Sequence, residues 1–204
     1  VLTIEPGVII KGANKHYPSL IIKGGLRVQG TAANPVIFTA ATTTPQAGDW
    51  SGIVFDNSTS TESLLEYAVF EYGGYQTSYQ GSQISEMLRI NNSQVTIKNS
   101  TFKQSQHNGV YLMNSDFSID DSIFEDNASA GLIISGADSQ GKINHCQFNN
   151  NSTGLEVIDQ ASLEIESNTF SENNRVIALR SAYPMIKNNQ ADNNNLNGIV
   201  VDDE

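Results

Sequence analysis

The stretch QVTIKNSTFKQSQHNGVYLMNS, residues 94–115, decides the fold of this chain. In it Ile97 is followed five positions later by Phe102, and Gly109 then leads into the alternating triplet Val110-Tyr111-Leu112. Apolar residues at every second position are the signature of a β-strand with one buried face. The stretch therefore predicts three short strands, centred on Ile97, Phe102 and Val110, which are separated by Asn, Ser and Gly.

The same pattern recurs downstream with a period of 21 to 24 residues. The recurring pairs are Ile119/Phe124, Ile143/Phe148, Ile165/Phe170 and a weakened Ile186/Ala191, and the recurring triplets begin at Leu132, Leu155, Ile177 and Ile199. Three strands and three corners make one triangular coil, and so short a coil can bury its apolar face only by stacking on the next. We therefore predict an all-β chain that forms a right-handed parallel β-helix, a solenoid of about eight or nine coils.

Two further features of the sequence predict where the corners of the coils lie and where a loop is inserted. Three residues after each Phe position stands a polar residue, in most copies Asn. Because Asn tolerates a left-handed backbone, these residues are predicted to stack at one corner of the solenoid. They are Ser105, Asn127, Asn151, Asn173 and Asn194. The repeat continues upstream through Leu65/Phe70 and resumes at Leu88-Arg89-Ile90. The intervening residues 73–87 are predicted to form an inserted loop.

Several segments of the N-terminal half resemble a known group of proteins. The segments LTIEPGVII at 2–10, GTAANPVIFT at 30–39, GDWSGI at 48–53 and LEYAVFEYGG at 65–74 are similar to those of bacterial secreted and cell-surface β-helix repeat proteins, which share the pectate-lyase-like fold. The resemblance covers nearly the whole chain and implies the fold together with an extracellular or cell-surface location. It leaves the function open, because the group includes polysaccharide lyases, glycoside hydrolases, adhesins and inert scaffolds.

The amino-acid composition limits the classes of molecule that we expect the chain to bind. The chain has 22 acidic and 11 basic residues, a net charge of −11 and no basic run, so we expect no nucleic-acid partner. No apolar stretch has the length of a membrane span, and we expect no membrane insertion. The single cysteine, Cys146, excludes an internal disulfide framework. Because both ends are strand-like, we expect one domain over residues 1–204, part of a longer precursor with flanking domains.

The sequence predicts no catalytic residue. Glu164 and Glu166 lie two apart on one strand, a spacing that suits an inverting glycosidase, but nothing nearby would separate their pKa values, so we interpret them as surface glutamates. The acidic groups Asp120-Asp121 and Glu125-Asp126 are interpreted as turn residues. We expect no cofactor and no metal, with calcium the one ion that these oxygen ligands would suit. The histidines His16, His107 and His145 are too dispersed to form a triad.

Aromatic residues supply the best candidate for a ligand site. They cluster before and within the inserted loop, where aromatic faces could stack on sugar rings. The candidate ligand-binding residues are Trp50, Tyr72, Tyr75, Tyr79, Arg89 and Tyr111. The alternative is that the tyrosines pack the loop against the solenoid.

Three functions follow as hypotheses. The first is a non-catalytic extracellular module that binds carbohydrate, such as a polysaccharide or cell-surface glycan, or mediates adhesion within a larger protein. The second is a polysaccharide lyase or glycoside hydrolase with its groove near the 73–87 loop. The third is a purely structural stalk or a rod that contacts ice or a surface. The mixed residue types at the outward positions of successive strands disfavour this third function.

Overall fold

A computed structural model describes residues 1–13, 16 and 18–202, and these residues form 26 strands. The described residues include no helix that is long and apolar enough to cross a membrane. Apart from one hairpin, every strand belongs to one of three parallel sheets of eight strands. We name the sheets A, B and C in the order in which the chain visits them.

Each sheet receives one strand from every coil, and each coil adds its strands in the order A, B, C. Sheet A contains β1 (Leu2–Ile4), β4 (Leu26–Gln29), β7 (Leu64–Glu66), β12 (Gln94–Lys98), β15 (Asp116–Asp120), β18 (Gln140–Asn144), β21 (Ser162–Glu166) and β24 (Met185–Lys187). Sheet B contains β2 (Ile9–Gly12), β5 (Val36–Ala40), β8 (Ala68–Glu71), β13 (Thr101–Lys103), β16 (Ile123–Glu125), β19 (Gln147–Asn149), β22 (Thr169–Ser171) and β25 (Gln190–Asp192). Sheet C contains β3 (Leu20–Ile22), β6 (Ile53–Asp56), β11 (Glu86–Asn91), β14 (Asn108–Met113), β17 (Ala130–Ser135), β20 (Thr153–Ile158), β23 (Arg175–Arg180) and β26 (Asn197–Asp202).

The predicted stacking of coils is confirmed. Ile97, Ile119, Ile143 and Ile165 pair in register on sheet A and are fully buried. Six phenylalanines of sheet B stack in one continuous column with ring centroids 4.4–5.3 Å apart; they are Phe38, Phe70, Phe102, Phe124, Phe148 and Phe170. The inward residues of all three sheets form one apolar core.

Hydrogen-bonded polar ladders run along the corners inside the solenoid. In the predicted Asn column, the Asn151 Nδ2 group donates to the Phe124 carbonyl at 2.9 Å and to Asn173 Oδ1 at 3.1 Å. Its Oδ1 accepts the backbone N–H and the side-chain amide of Asn127 at 3.1 and 3.0 Å. The amide thus satisfies buried backbone groups of neighbouring coils, which explains why Asn recurs there.

The recurring glycine at the start of the sheet C strands has a steric cause. A Cβ atom at Gly109 would lie 2.6 Å from the Gly131 carbonyl oxygen, and one at Gly131 would lie 2.9 Å from the Gly154 carbonyl oxygen. Only a residue without a side chain permits this approach between successive coils.

The predicted insertion is present but shorter than the predicted range 73–87. It forms an antiparallel hairpin of β9 (Thr77–Tyr79) and β10 (Ser82–Ile84), joined by Gln80 and Gly81, both with positive φ. Glu86 and Met87 instead belong to β11, because both side chains are buried, at 3% and 0% exposure. An insertion near residues 73–87 is therefore confirmed, and its last two residues already lie on β11.

Candidate functional site

The outer face of sheet C differs from the rest of the surface in its content of arginine. Three of the four arginines of the chain, Arg89, Arg175 and Arg180, lie on its strands β11 and β23. The residues at the outward position of successive strands are Ile21, Val54, Arg89, Tyr111, Ile133, Glu156, Ala178 and Val200. An acidic protein thus carries most of its guanidinium groups on one strip.

Arg89 is held in one position by four neighbours. Its Nε donates to Asn91 Oδ1 at 3.0 Å, and its Nη1 donates to Glu86 Oε1 at 2.7 Å and to the Gln83 carbonyl at 3.3 Å. The guanidinium carbon lies 4.9 Å from the centre of the Tyr111 ring, within the range of a cation–π contact. Nη2 has no hydrogen-bond partner among the residues that the structure describes, so two fixed donors remain for a ligand.

Glu86 is the buried half of this ion pair. Its Oε2 accepts the Ser85 backbone N–H at 2.9 Å, and its side chain is only 3% exposed. Burial raises the pKa of Glu86 above its usual range, while the charge of Arg89 and the hydrogen bonds act in the opposite direction. An ion pair this deeply buried orients the guanidinium rather than adding much stability.

A second polar cluster lies where the hairpin meets the end of β6. The Tyr79 hydroxyl donates to Asp56 Oδ2 at 2.9 Å, and Gln80 Nε2 donates to the same oxygen at 3.0 Å. Desolvation, followed by the hydrogen bond to Asp56, raises the pKa of Tyr79 above its ordinary value. Tyr79 therefore stays a hydrogen-bond donor.

These two clusters line one cleft between the hairpin and sheet C. The cleft has a volume of about 180 Å³, and its lining residues are Asp56, Asn57, Tyr79, Gln80, Ser82, Ile84, Arg89, Asn91, Asn92 and Met113. We call it the hairpin cleft. It offers several amide and hydroxyl groups, one open guanidinium edge and the apolar side chains of Ile84 and Met113, a combination that suits a small, highly hydroxylated ligand.

A larger and more open cleft lies on the same face near the last coils. It has a volume of about 600 Å³ and is lined by Arg175, Arg180, Glu156 and Asp202, among others. Arg180 forms an ion pair with Glu156 across the neighbouring strands, whereas Arg175 is exposed. We call it the distal cleft.

The predicted site residues are only partly brought together. Tyr79 and Arg89 line the hairpin cleft, and Tyr111 supports Arg89 from the next strand. Tyr75 lies on another side of the hairpin, beside His16 and Gln76. Tyr72 is partly buried and packs against the core.

Trp50 cannot stack on a sugar, which corrects the prediction for this residue. Its side chain is 2% exposed, and its indole N–H donates to the Glu71 carbonyl at 2.8 Å. The ring occupies space left by two glycines, since Cβ atoms at Gly12 and Gly73 would lie 2.8 and 3.1 Å from it. The indole therefore fills the corner between sheets B and C.

The other candidate groups lie outside the two clefts. Glu164 bridges Lys142 and Lys187 at 2.9 and 2.7 Å, and these hydrogen bonds lower the pKa of Glu164, the direction opposite to that of a general acid. Within residues 1–13, 16 and 18–202, no group of three or more His, Cys, Asp or Glu side chains is arranged to hold a metal ion. His107 and His145 contact corner residues, namely the Gly74 carbonyl and the Asn144 amide.

Sequence reasoning missed the two acidic members of the site, Asp56 and Glu86. Asp56 ends a strand of ordinary appearance, and Glu86 was assigned to the inserted loop. The spacing of Glu86 and Arg89 would have indicated an ion pair only if the start of β11 had been known. Two polar residues at the ends of a strand give no signal by themselves.

Two family models match the chain over overlapping halves. The model described as a pectate-lyase like beta helix domain matches residues 1–115, and the model described as a right handed beta helix region matches residues 86–204. No curated protein sequence matches the chain.

Similar solved structures have low sequence identity. The A-module of mannuronan C-5 epimerase AlgE4 from Azotobacter vinelandii is 13% identical, with a TM-score of 0.61, and is matched over 96% of this chain and 54% of that one. PfbA, a surface adhesin of Streptococcus pneumoniae, is 13% identical with a TM-score of 0.44 over 97% of this chain and 61% of that one. This chain thus spans just over half the length of the epimerase module. With both family models and the three-sheet architecture in agreement, the chain belongs to the right-handed, pectate-lyase-like β-helix family.

Proposed function

We propose that this protein is a non-catalytic, extracellular carbohydrate-binding module, and that the hairpin cleft binds an acidic glycan. The observation that carries the proposal is the state of Arg89. Glu86, Asn91, the Gln83 carbonyl and the Tyr111 ring fix its guanidinium in place, while Nη2 has no hydrogen-bond partner within the described part of the chain. A guanidinium that is already oriented suits a carboxylate, because a charge-assisted N–H···O⁻ hydrogen bond from Nη2 is stronger than a bond between neutral groups.

The surroundings of Arg89 support a sugar rather than a compact anion. The cleft adds the amide side chains of Asn91 and Asn92 and the hydroxyl of Ser82, which match the many hydroxyl groups of a glycan. Because the net charge of −11 opposes the approach of a polyanion, we expect binding to depend on the local arginines.

Isothermal titration calorimetry with two acidic polymers and two neutral ones tests the proposal. The acidic probes are mannuronan and polygalacturonate, and the neutral probes are mannan and galactan. We expect binding of at least one acidic polymer and much weaker binding of its neutral counterpart. The test variant is the double substitution Glu86→Gln/Arg89→Met, which removes both charges of the pair together and leaves neither one buried alone.

The double variant is expected to bind about 10- to 100-fold more weakly, the range for losing a hydrogen bond to a charged group. Lys142→Met, on the outer face of sheet A, is the matched control and should bind like the wild type. Failure of the wild type to bind any probe would contradict the proposal. Undiminished binding by a folded double variant would place the site elsewhere.

A second candidate function, polysaccharide lyase or glycoside hydrolase, is favoured by one observation. The Tyr79 hydroxyl lies 2.9 Å from Asp56 Oδ2 in the same cleft as Arg89, so a proton donor, a carboxylate and a guanidinium line one cavity. Release of unsaturated products or new reducing ends from either acidic polymer, with loss of this release in Tyr79→Phe, would replace the non-catalytic proposal by this one.

A further inference from the structure

The hairpin crosses the full width of sheet C at the level of β6. Its entry is fixed at the start of that strand, where the Gly74 and Tyr75 N–H groups donate to the carbonyls of Ser51 and Trp50 at 3.1 and 3.2 Å. Its tip is fixed at the other end, where Tyr79 and Gln80 both donate to Asp56. The hairpin is therefore anchored on both sides of the sheet.

Burial of the strand below it shows that the hairpin closes this part of the face. Val54 occupies the outward position of β6, in register with Arg89 on β11, yet it is only 1% exposed. Ile21, at the same outward position one coil earlier, is 39% exposed. On the hairpin itself, Ile84 is 3% exposed.

On the other side of the hairpin the outward column continues, with Tyr111 and Glu156 partly exposed and Ile133 8% exposed, against 1% for Val54. The return strand β10 borders the site, since Arg89 Nη1 donates to the Gln83 carbonyl. Beyond Arg89 the outward column proceeds through Tyr111, Ile133 and Glu156 to the distal cleft. From β11 to β23 there are four strand spacings, which amount to about 19 Å.

From this arrangement we infer that the site recognises the end of a glycan chain, not its interior. The inference rests on the proposed function. In this mode the polymer runs across the stacked strands of sheet C: with its acidic group on Arg89 it meets the hairpin in one direction and extends in the other, towards Arg175 and Arg180. The terminal sugar then occupies the hairpin cleft, and the following sugars lie over the column that begins with Tyr111.

The stoichiometry of binding distinguishes the two modes. Calorimetry with short and long fractions of the bound polymer, mannuronan or polygalacturonate, gives the number of protein molecules bound per chain. A site for chain ends binds one protein per chain whatever the chain length. A site for chain interiors binds more proteins as the chain grows, and that result would overturn the inference while leaving the proposed function intact. Absence of binding to both polymers would contradict the proposed function as well.

A variant that lacks the hairpin provides the complementary test. Replacement of residues 77–84 by a short Gly-Ser linker, with Val54→Thr to restore a polar outer position, opens the face towards β3. We expect several molecules of this variant to bind to one long polymer chain. If it retains one protein per chain, the hairpin is not the element that selects chain ends, and the inference is wrong. Because residues 77–84 also line the cleft, their replacement can abolish binding; should the variant not fold or not bind, the wild-type stoichiometry decides alone.

Discussion

At the scale of single residues, the ion pair of Glu86 and Arg89 combines a fixed guanidinium with an energetic cost. The carboxylate orients the guanidinium, but it is 3% exposed, and burial is the largest influence on its pKa, which lies above the usual range. An acid whose pKa is higher in the folded than in the unfolded state makes the protein less stable as pH rises, because the folded state holds its proton longer.

Glu86→Gln tests this cost, since glutamine keeps the shape and does not titrate. As pH rises from the ordinary glutamate value of 4.5, the unfolding free energy of the wild type is expected to fall relative to that of the variant, until the pKa of the folded state is passed. Urea denaturation of both proteins over a pH series measures the difference. A rise of the wild type relative to the variant would mean that the ion pair with Arg89 outweighs the burial of Glu86.

At the scale of elements, the corner ladder is a structural unit whose members support one another. Asn151→Ala would remove the acceptor of the buried Asn127 backbone N–H, and it would take one hydrogen bond each from the Asn127 amide and the Phe124 carbonyl. We expect a loss of about 3 kcal/mol of unfolding free energy, measured by urea denaturation. Asn149→Ala removes one hydrogen bond from a partly exposed side chain and should cost about 1 kcal/mol or less. Equal losses would contradict a special role for the ladder.

The elements also mark the boundary of what the sequence predicts. The coils were predictable because the Ile and Phe positions repeat and each copy confirms the others. The hairpin has no second copy, so its residues could be placed in a loop but not on a sheet. Residue type alone selected Tyr79, Arg89 and Tyr111, whose ligand-binding role stays a prediction, whereas it gave no signal for Asp56 in the same cleft and no indication that Trp50 is buried. The hairpin contacts β6 through side chains that do not repeat along the sequence. The periodicity of the sequence therefore gives no information about this contact.

At the scale of the whole molecule, stability is set by contacts between adjacent coils. The Phe column makes this measurable, because its interior members stack on two rings and its end members on one. Phe124 lies 5.3 and 4.9 Å from the rings of Phe102 and Phe148, whereas Phe170 stacks only on Phe148, at 4.7 Å. Both side chains are buried.

Phe124→Ala is therefore expected to cost about 4 kcal/mol of unfolding free energy. Phe170→Ala should cost about 1 kcal/mol less, the value of one aromatic pair. Denaturant unfolding of the two variants, followed by circular dichroism, gives the comparison. If the end residue cost as much as the interior one, ring stacking between coils would add nothing beyond burial. The rigidity of the face that carries Arg89 would then have to come from the hydrogen-bonded corners instead.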